Sequence, residues 1–263
     1  MNMNSASSAG LGPDHIDQFI RQGYVALEGA FDPADAAEGR ALLWQAMGLA
    51  PDNAAGWTRP VLRVGFRTDP PFVRAANTPR LHAAFNQLAG AGRWLPPPGL
   101  GTFPVRFPVA GDPGDLGWHV DPSFGTEDPD FLRWRVNVKS RGRALLMLFL
   151  LSDTGPQDGP TRLRAGSHQH IARQLLPRGE EGMTLGELAT DDFATTASCA
   201  EVQATGPAGT VFLCHPFLVH AAQPVRGPQP RFLAQPALLP RFGFDPALPP
   251  SPVQIAIRQA CGL

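Results

Sequence analysis

Apolar side chains recur along this chain at two spacings, and the spacing changes near residue 100. From His15 to Ile20 they fall at three- and four-residue intervals behind Pro13-Asp14 and stop before Gly23, which predicts a short helix. Tyr24-Val25-Ala26-Leu27 then reads as a strand. Asp32-Pro33 opens a second helix reaching Met47, with Asp32 as N-cap and Pro33 at the first helical position. A third helix is predicted over about Pro79–Leu88. From Thr102 the apolar residues gather into short runs divided by Gly/Pro turns, the pattern of strands. The runs are Thr102–Pro108, Ala144–Ser152, Thr161–Ala165, Gly209–Leu213 and Arg231–Leu239. Two longer insertions, 126–142 and 173–206, interrupt them, the second with an amphipathic piece near Met183–Leu188. No repeat appears and no linker divides the helical third from the strands. The expectation is one domain over residues 1–263, with a helical part (roughly 14–95) packed outside a β-sandwich or barrel (roughly 102–240).

Composition narrows the class. With 263 residues and 43% hydrophobic content the chain can bury a real core. Its 22 Lys+Arg balance 23 Asp+Glu, which removes the electrostatic reason to expect nucleic acid or an acidic membrane as partner. The longest apolar run, Ala144–Leu151, is far shorter than the ~20 residues of a membrane span. The first residues, MNMNSASSAG, carry neither a basic start nor an apolar stretch, so no secretory leader is read there. Cys199, Cys214 and Cys261 form no CxxC pair, which argues against a disulfide framework or thiolate zinc site and for a reducing, cytoplasmic setting. Pro (29) and Gly (28) are scattered between apolar segments, which suits short strands and turns better than a helical bundle. Lys139 is the only lysine, so the arginine excess reads as compositional bias.

Candidate chemistry begins at Trp118-His119-Val120-Asp121. On an extended segment His119 and Asp121 share a face and offer an imidazole nitrogen beside a carboxylate. One such tripeptide is weak evidence. Further along, the apolar run from Gly209 delivers His215 and His220, and Arg231 follows eleven residues after His220 at the start of another apolar run. Two histidines and one carboxylate leave three positions open on an octahedral ion, as in non-heme Fe(II) oxygenases. A nearby arginine can grip a carboxylate bidentately, which suits a dicarboxylate cosubstrate.

In this order the motifs resemble the phytanoyl-CoA dioxygenase family of Fe(II)/2-oxoglutarate enzymes. They are Trp118-His119-Val120-Asp121, Asp158-Gly159-Pro160, Ala165-Gly166-Ser167-His168, the stretch His215–His220, and Arg231. The opening Asp17-Gln18-Phe19 through Gly23-Tyr24-Val25 is similar too, so the likeness covers nearly the whole chain. The resemblance implies a mainly β fold with flanking helices, its core a double-stranded β-helix of the jelly-roll, cupin-like kind. It assigns Fe(II) to His119, Asp121 and His220 and the far carboxylate of 2-oxoglutarate to Arg231. The implied reaction hydroxylates an unactivated C–H bond of a small organic substrate with dioxygen, and releases succinate and CO2. Many members carry Ser or Thr two residues after the distal histidine; here that position is Ala222, so Arg231 needs other support. Gln235 shares a strand face with Arg231 and Leu233 and is a candidate for the cosubstrate wall. Arg106, on the strand before the HxD segment, is a candidate for a second carboxylate, with a salt bridge as the alternative.

Other residues compete for these roles. His215 rivals His220, but its sixteen-residue interval to Arg231 departs from the family's eleven, and Pro216 prevents a parity argument. His168 reads as structural, and His15, His82 and His170 as solvated. Arg133, Arg135, Lys139, Arg141 and Arg143 read as a solvated edge, with an anionic substrate as the alternative. Trp134 and Phe124 are candidates either for the pocket or for packing. Three other functions use the same fold: a cupin-like isomerase or hydrolase, a radical halogenase, and a non-catalytic binding module. Arg231 argues against the first, Asp121 against the second, and the intact ligand set against the third.

Overall fold

Proline opens most of the helices in this chain. In the computed structural model, which describes residues 10–242 and 248–263, five helices carry proline in their first turn: α1 (Pro13–Gln22), α2 (Pro33–Met47), α3 (Pro70–Ala76), α4 (Pro79–Ala89) and, at the chain's end, α7 (Pro252–Cys261). Proline suits that position because its missing N–H has no helical partner to lose and its φ is already helical. Side-chain caps complete several starts. Asp32 accepts from the Ala34 N–H at 2.8 Å, Thr78 accepts from the Leu81 N–H at 3.2 Å, and Ser251 with Gln254 forms a capping box. The scatter of proline is therefore partly a helix signal, and α3 and α7 stand where no helix was expected. The residues read for a leader, 1–9, lie outside the described part.

Strand β1 (Tyr24–Leu27) follows α1, and β2 (Val61–Val64) pairs antiparallel with β3 (Phe103–Arg106). Next come β4 (Arg135–Val136), β5 (Leu145–Leu150), β6 (Arg162–Arg164), helix α5 (Ser167–Leu175), β7 (Met183–Thr184) and helix α6 (Leu185–Ala189). Strands β8 (Glu201–Gln203), β9 (Val211–Cys214), β10 (His220–Ala221), β11 (Leu233–Ala234) and β12 (Ala237–Leu238) complete the set. One antiparallel sheet runs β1-β9-β5-β11 with β12 also on β5, and a second runs β10-β6-β8. The expected strand over Arg231–Leu239 is split, with Pro236 between β11 and β12, since proline cannot donate to the ladder. The segment after Gly166 is helix α5 rather than turn and insertion. The piece near Met183–Leu188 divides into β7 and the capped helix α6.

The uninterrupted apolar run of β5 follows from its central place. All six residues are buried, and alternate side chains enter different clusters. Leu145, Met147 and Phe149 join Phe19, Leu43, Phe85, Ile171 and Ile257 on the helix-covered face. Leu146, Leu148 and Leu150 join Leu163, Leu218 and Leu233, linking the two sheets. Strand β9 divides likewise, Val211 and Leu213 to the first cluster and Phe212 and Cys214 to the second.

Two buried histidines tie α1 and α7 to this frame. His168 Nε2 lies 3.0 Å from the Ile20 carbonyl oxygen, and its ring is 4.8 Å from that of His215. Gly23, left-handed at φ 81°, ends α1 where a Cβ would meet His168 Nδ1 at 2.5 Å. His215 Nδ1 accepts the Phe217 N–H at 3.1 Å, and Nε2 faces the Val253 carbonyl oxygen of α7 at 3.2 Å. Burial pushes the His168 pKa down to about 4 and that of His215 well below the ordinary value. Unfolded histidines bind protons near pH 6.5, so this stability is present above that pH and lost as pH falls toward 4. Between pH 7 and pH 5, His168 alone should account for about 2 kcal/mol of lost stability. Urea unfolding at both pH values should show a loss smaller by about that amount in His168→Gln. Equal losses in the two proteins would contradict a neutral buried His168.

Candidate metal centre and its cavity

The segment carrying His119 has no strand partner except at one point. His119 and His220 form an isolated antiparallel bridge, each N–H donating to the other's carbonyl at 2.9 Å. Directly opposed residues put their side chains on one side of the ladder, and here the two ring centroids are 4.3 Å apart. Period-two alternation then turns Val120 into the core and Asp121 back to the side of His119. His119, Asp121 and His220 each offer a ligand atom, all within 4.8 Å of one another.

Tautomers follow from the backbone. His119 Nδ1 is 3.0 Å from the Gly117 carbonyl oxygen and His220 Nδ1 is 3.0 Å from that of Leu218. Each Nδ1–H donates there, which leaves Nε2 of both rings as the acceptor nitrogen, the form a metal ligand requires. Burial, then His119, brings the His220 pKa down to about 4, so the ring is a neutral acceptor at neutral pH. Its Nε2 receives the Gln235 amide N–H at 3.1 Å and lies 3.7 Å from Asp121 Oδ1. Burial opposes ionisation of Asp121, but Arg143, His220, His119 and a Gln235 hydrogen bond together hold it below the usual carboxylate range. Two imidazoles and one ionised carboxylate converging on one space fit a divalent metal with open positions.

Arg143, which the sequence placed on a solvated edge, turns to the triad instead. Its Nη1 is 3.2 Å from Asp121 Oδ2, and Nη2 donates to the Pro122 carbonyl at 3.2 Å. It is only 14% exposed, whereas its neighbours on the basic stretch make outer ion pairs: Arg133 with Asp128, Arg135 with Glu181, Lys139 with Glu180. Nothing in the linear pattern separates Arg143 from those neighbours; the turn after Asn137 aims it inward.

A cavity of ≈ 710 Å³ contains the triad together with Arg231, Leu233 and Gln235. Arg231 is 1% exposed, with Nη1 donating to the Gly159 carbonyl at 2.9 Å and Nη2 to that of Pro104 at 3.3 Å. Thr161 Oγ1, also on the cavity, is 3.5 Å from Nη1. Burial and then Arg106, against the opposing pull of Asp115, lower the Arg231 pKa to about 9. Arg106 bridges backbone to backbone with Arg231 and reaches the cavity, but its guanidinium is engaged at 2.6 Å by Asp115, the salt-bridge alternative. Trp134 lines the cavity, whereas Phe124 packs under the Arg141 guanidinium, 5.2 Å from its ring centroid. His82 is packed, not solvated, with its ring 4.9 Å from Trp94. The Gly-Ser-His motif is structural: the Gly166 N–H donates to the Gln22 carbonyl at 2.8 Å, and Ser167 Oγ accepts the Val219 N–H at 2.9 Å.

The phytanoyl-CoA dioxygenase (PhyH) family profile matches residues 19–233. The chain belongs to the phytanoyl-CoA dioxygenase family. It is thereby an enzyme of the 2-oxoglutarate-dependent non-heme iron class. Solved structures agree on the fold. The non-heme α-ketoglutarate-dependent carbocyclase SnoK from nogalamycin biosynthesis superposes with a TM-score of 0.60 at 17% identity, over 90% of this chain and 87% of that one. HygX from Streptomyces hygroscopicus, with nickel and 2-oxoglutarate bound, gives 0.57 at 21% identity over 88% of both chains. EctD from S. alaskensis, with 2-oxoglutarate and 5-hydroxyectoine, gives 0.54 at 20% over 89% and 77%. No curated protein sequence matches. Among the described residues no helix is long and apolar enough to cross a membrane.

Metal content after gel filtration tests the centre. His119→Ala and His220→Ala should each lose stoichiometric Fe(II) while keeping the fold, and His215→Asn should keep the metal. Iron retained in His220→Ala but lost in His215→Asn would reverse the choice of distal ligand.

Proposed function

We propose that this protein is an Fe(II)- and 2-oxoglutarate-dependent dioxygenase that hydroxylates an unactivated C–H bond of a small organic substrate. The two sheets are read as the halves of a double-stranded β-helix. His119, Asp121 and His220 hold the iron, and Arg231 holds the far carboxylate of 2-oxoglutarate. The observation that carries the reading is the state of Arg231. Its guanidinium is buried in the wall of the metal cavity, its hydrogen bonds go to neutral oxygens, and no carboxylate pairs with it among the described residues. A buried charge without a counterion is costly, and an anionic guest in the cavity supplies one. A cupin-like isomerase or hydrolase has no use for that arrangement.

Each side chain has a defined task. When bound, Fe(II) supplies the reductive use of dioxygen, coupled to oxidative decarboxylation of 2-oxoglutarate to succinate and CO2 and to oxidation of the substrate C–H bond. Arg143 occupies Asp121 Oδ2, so the other carboxylate oxygen is the one turned to His220. Thr161 provides a hydroxyl beside Arg231 where Ala222 offers none. Gln235 presents its amide between His220 and Asp121, at the wall of the same cavity. Arg106 acts on the same wall through Asp115, adding positive potential next to Arg231. Asp121 would be the third protein ligand of the iron, and a carboxylate there argues against a halide taking that place.

Two measurements test this reading. In anaerobic protein with Fe(II), 2-oxoglutarate should produce a weak visible charge-transfer band. Arg231→Leu should keep its iron but bind 2-oxoglutarate at least a hundredfold more weakly, since breaking a buried charged pair costs ~3–5 kcal/mol. Unchanged cosubstrate affinity in Arg231→Leu would sink the clamp and favour a cupin-like enzyme. Turnover with dioxygen should release succinate equally with and without chloride, and Asp121→Gly should lose most of it. A chlorinated product from the native enzyme would overturn hydroxylation.

A further inference from the structure

Beyond the metal and Arg231, the ≈ 710 Å³ cavity has two walls of opposite character. Its size lies within the roughly 300–1,000 Å³ of pockets that enclose drug-sized molecules. One wall comes from the two insertions. The first supplies Phe131, Leu132 and Trp134, and the second supplies Leu185 and Ala189. Their backbones are tied together: β4 pairs with β7, and the Leu185 N–H donates to the Trp134 carbonyl at 2.8 Å. Phe131 stands edge-on to Trp134 at 5.1 Å, so the surface is built before any ligand arrives. Phe131 (48%) and Leu132 (55%) are large apolar side chains left exposed beside the cavity they line. Such exposure at the mouth of a pocket marks a surface that a ligand covers.

The facing chemistry comes from the β2–β3 ribbon. Arg63 and Arg106 both direct Nη2 at the same oxygen of Asp115, Oδ2. Arg106 is 2% exposed, and its Nε is buried with no partner, as is Asp115 Oδ1. Two guanidiniums against one carboxylate leave this wall with one positive charge in excess. Arg63 is the exposed member and the one a ligand can reach. The remaining cavity cations have other engagements, Arg143 with Asp121 and Arg231 with the cosubstrate.

We infer that the primary substrate is an amphipathic acid, with an apolar body laid against Phe131, Leu132 and Trp134 and a carboxylate or phosphate directed to the Arg63–Asp115–Arg106 wall. The inference rests on the 2-oxoglutarate reading, which assigns Arg231 to the cosubstrate and leaves Arg63 for the substrate. Asp115 has a double part. It orders both guanidiniums, and its own charge opposes an incoming anion. Removing Arg63 and neutralising Asp115 should therefore move anion affinity in opposite directions, which a merely structural role for the pair does not do.

The test is anaerobic titration calorimetry on protein loaded with Fe(II) and saturating 2-oxoglutarate, using 2-naphthoate, 2-naphthyl phosphate and neutral 2-naphthamide. At least one acid should bind about tenfold or more tightly than the amide, and which acid leads separates a carboxylate from a phosphate substrate. Arg63→Gln should abolish that preference, and Asp115→Asn should strengthen acid binding without changing the amide. Leu132→Ser should weaken all three probes alike. The inference is overturned if the amide binds as well as both acids, if no probe binds, or if the Arg63 and Asp115 variants shift acid affinity in the same direction. Titration of 2-oxoglutarate into the Fe(II) protein alone separates the two levels. Its failure counts against the oxygenase reading, whereas normal cosubstrate binding without the naphthalene pattern counts against the substrate class alone.

Discussion

Two hydrogen bonds between His119 and His220 hold the candidate metal centre together. Without that bridge the HxD segment would be a loop with no ladder contact to the sheet that bears the distal histidine. Pairing the two residues face to face decides where both imidazoles point and, through alternation, where Asp121 points as well. The bridge is only as firm as β10, which has two residues. That strand is held by pairing with β6 and by Ser167 Oγ, which receives the Val219 N–H. The Gly-Ser-His motif therefore bears on the chemistry without touching it. It fastens the strand of His220 to the end of α1 on one side and to the buried His168–His215 pair on the other.

Charge is the second constraint, because the cavity gathers arginines where water is scarce. Each handles its burial differently. Arg143 is neutralised by Asp121, and Arg106 shares Asp115 with Arg63. Among the described residues Arg231 meets only carbonyl oxygens and a hydroxyl, so its charge is solvated but not balanced there. In a low-dielectric wall that difference matters more than distance alone, since unscreened charge is expensive and an anion nearby relieves it. The drop of the Arg231 pKa to about 9 expresses the same imbalance and still leaves the group charged at neutral pH.

Much of this was legible in the sequence wherever a short-range rule applied. Alternation put His119 with Asp121 and Arg231 with Gln235, and the apolar run of β5 announced a strand. Asp32-Pro33 and Pro79 marked helix starts. The misses share a cause: each depended on partners distant in sequence. Helix α7 is a regular amphipathic segment, with Val253, Ala256, Ile257 and Ala260 buried, yet it lay beyond the expected core, where no element was predicted. Arg143 is one arginine among several until the fold turns it toward Asp121. Arg106 could be placed at the site by its strand, but only the structure shows Asp115 meeting it. Proline misled in its own way, because the same residue signals a turn between strands and the first turn of a helix.

The two kinds of residue also sit on different kinds of structure. His119, His220 and Arg231 are placed by backbone bridges, His119 to His220 and Arg231 to Arg106, with β10 paired to β6. The apolar wall of the cavity hangs on a two-residue pairing between insertions and on the short helix α6. Changing Phe131 or Leu132, both exposed, disturbs little of the core. Those bridges set where the candidate ligands and Arg231 point. Lightly anchored insertions shape the mouth, so its apolar wall can change without moving His119, Asp121, His220 or Arg231.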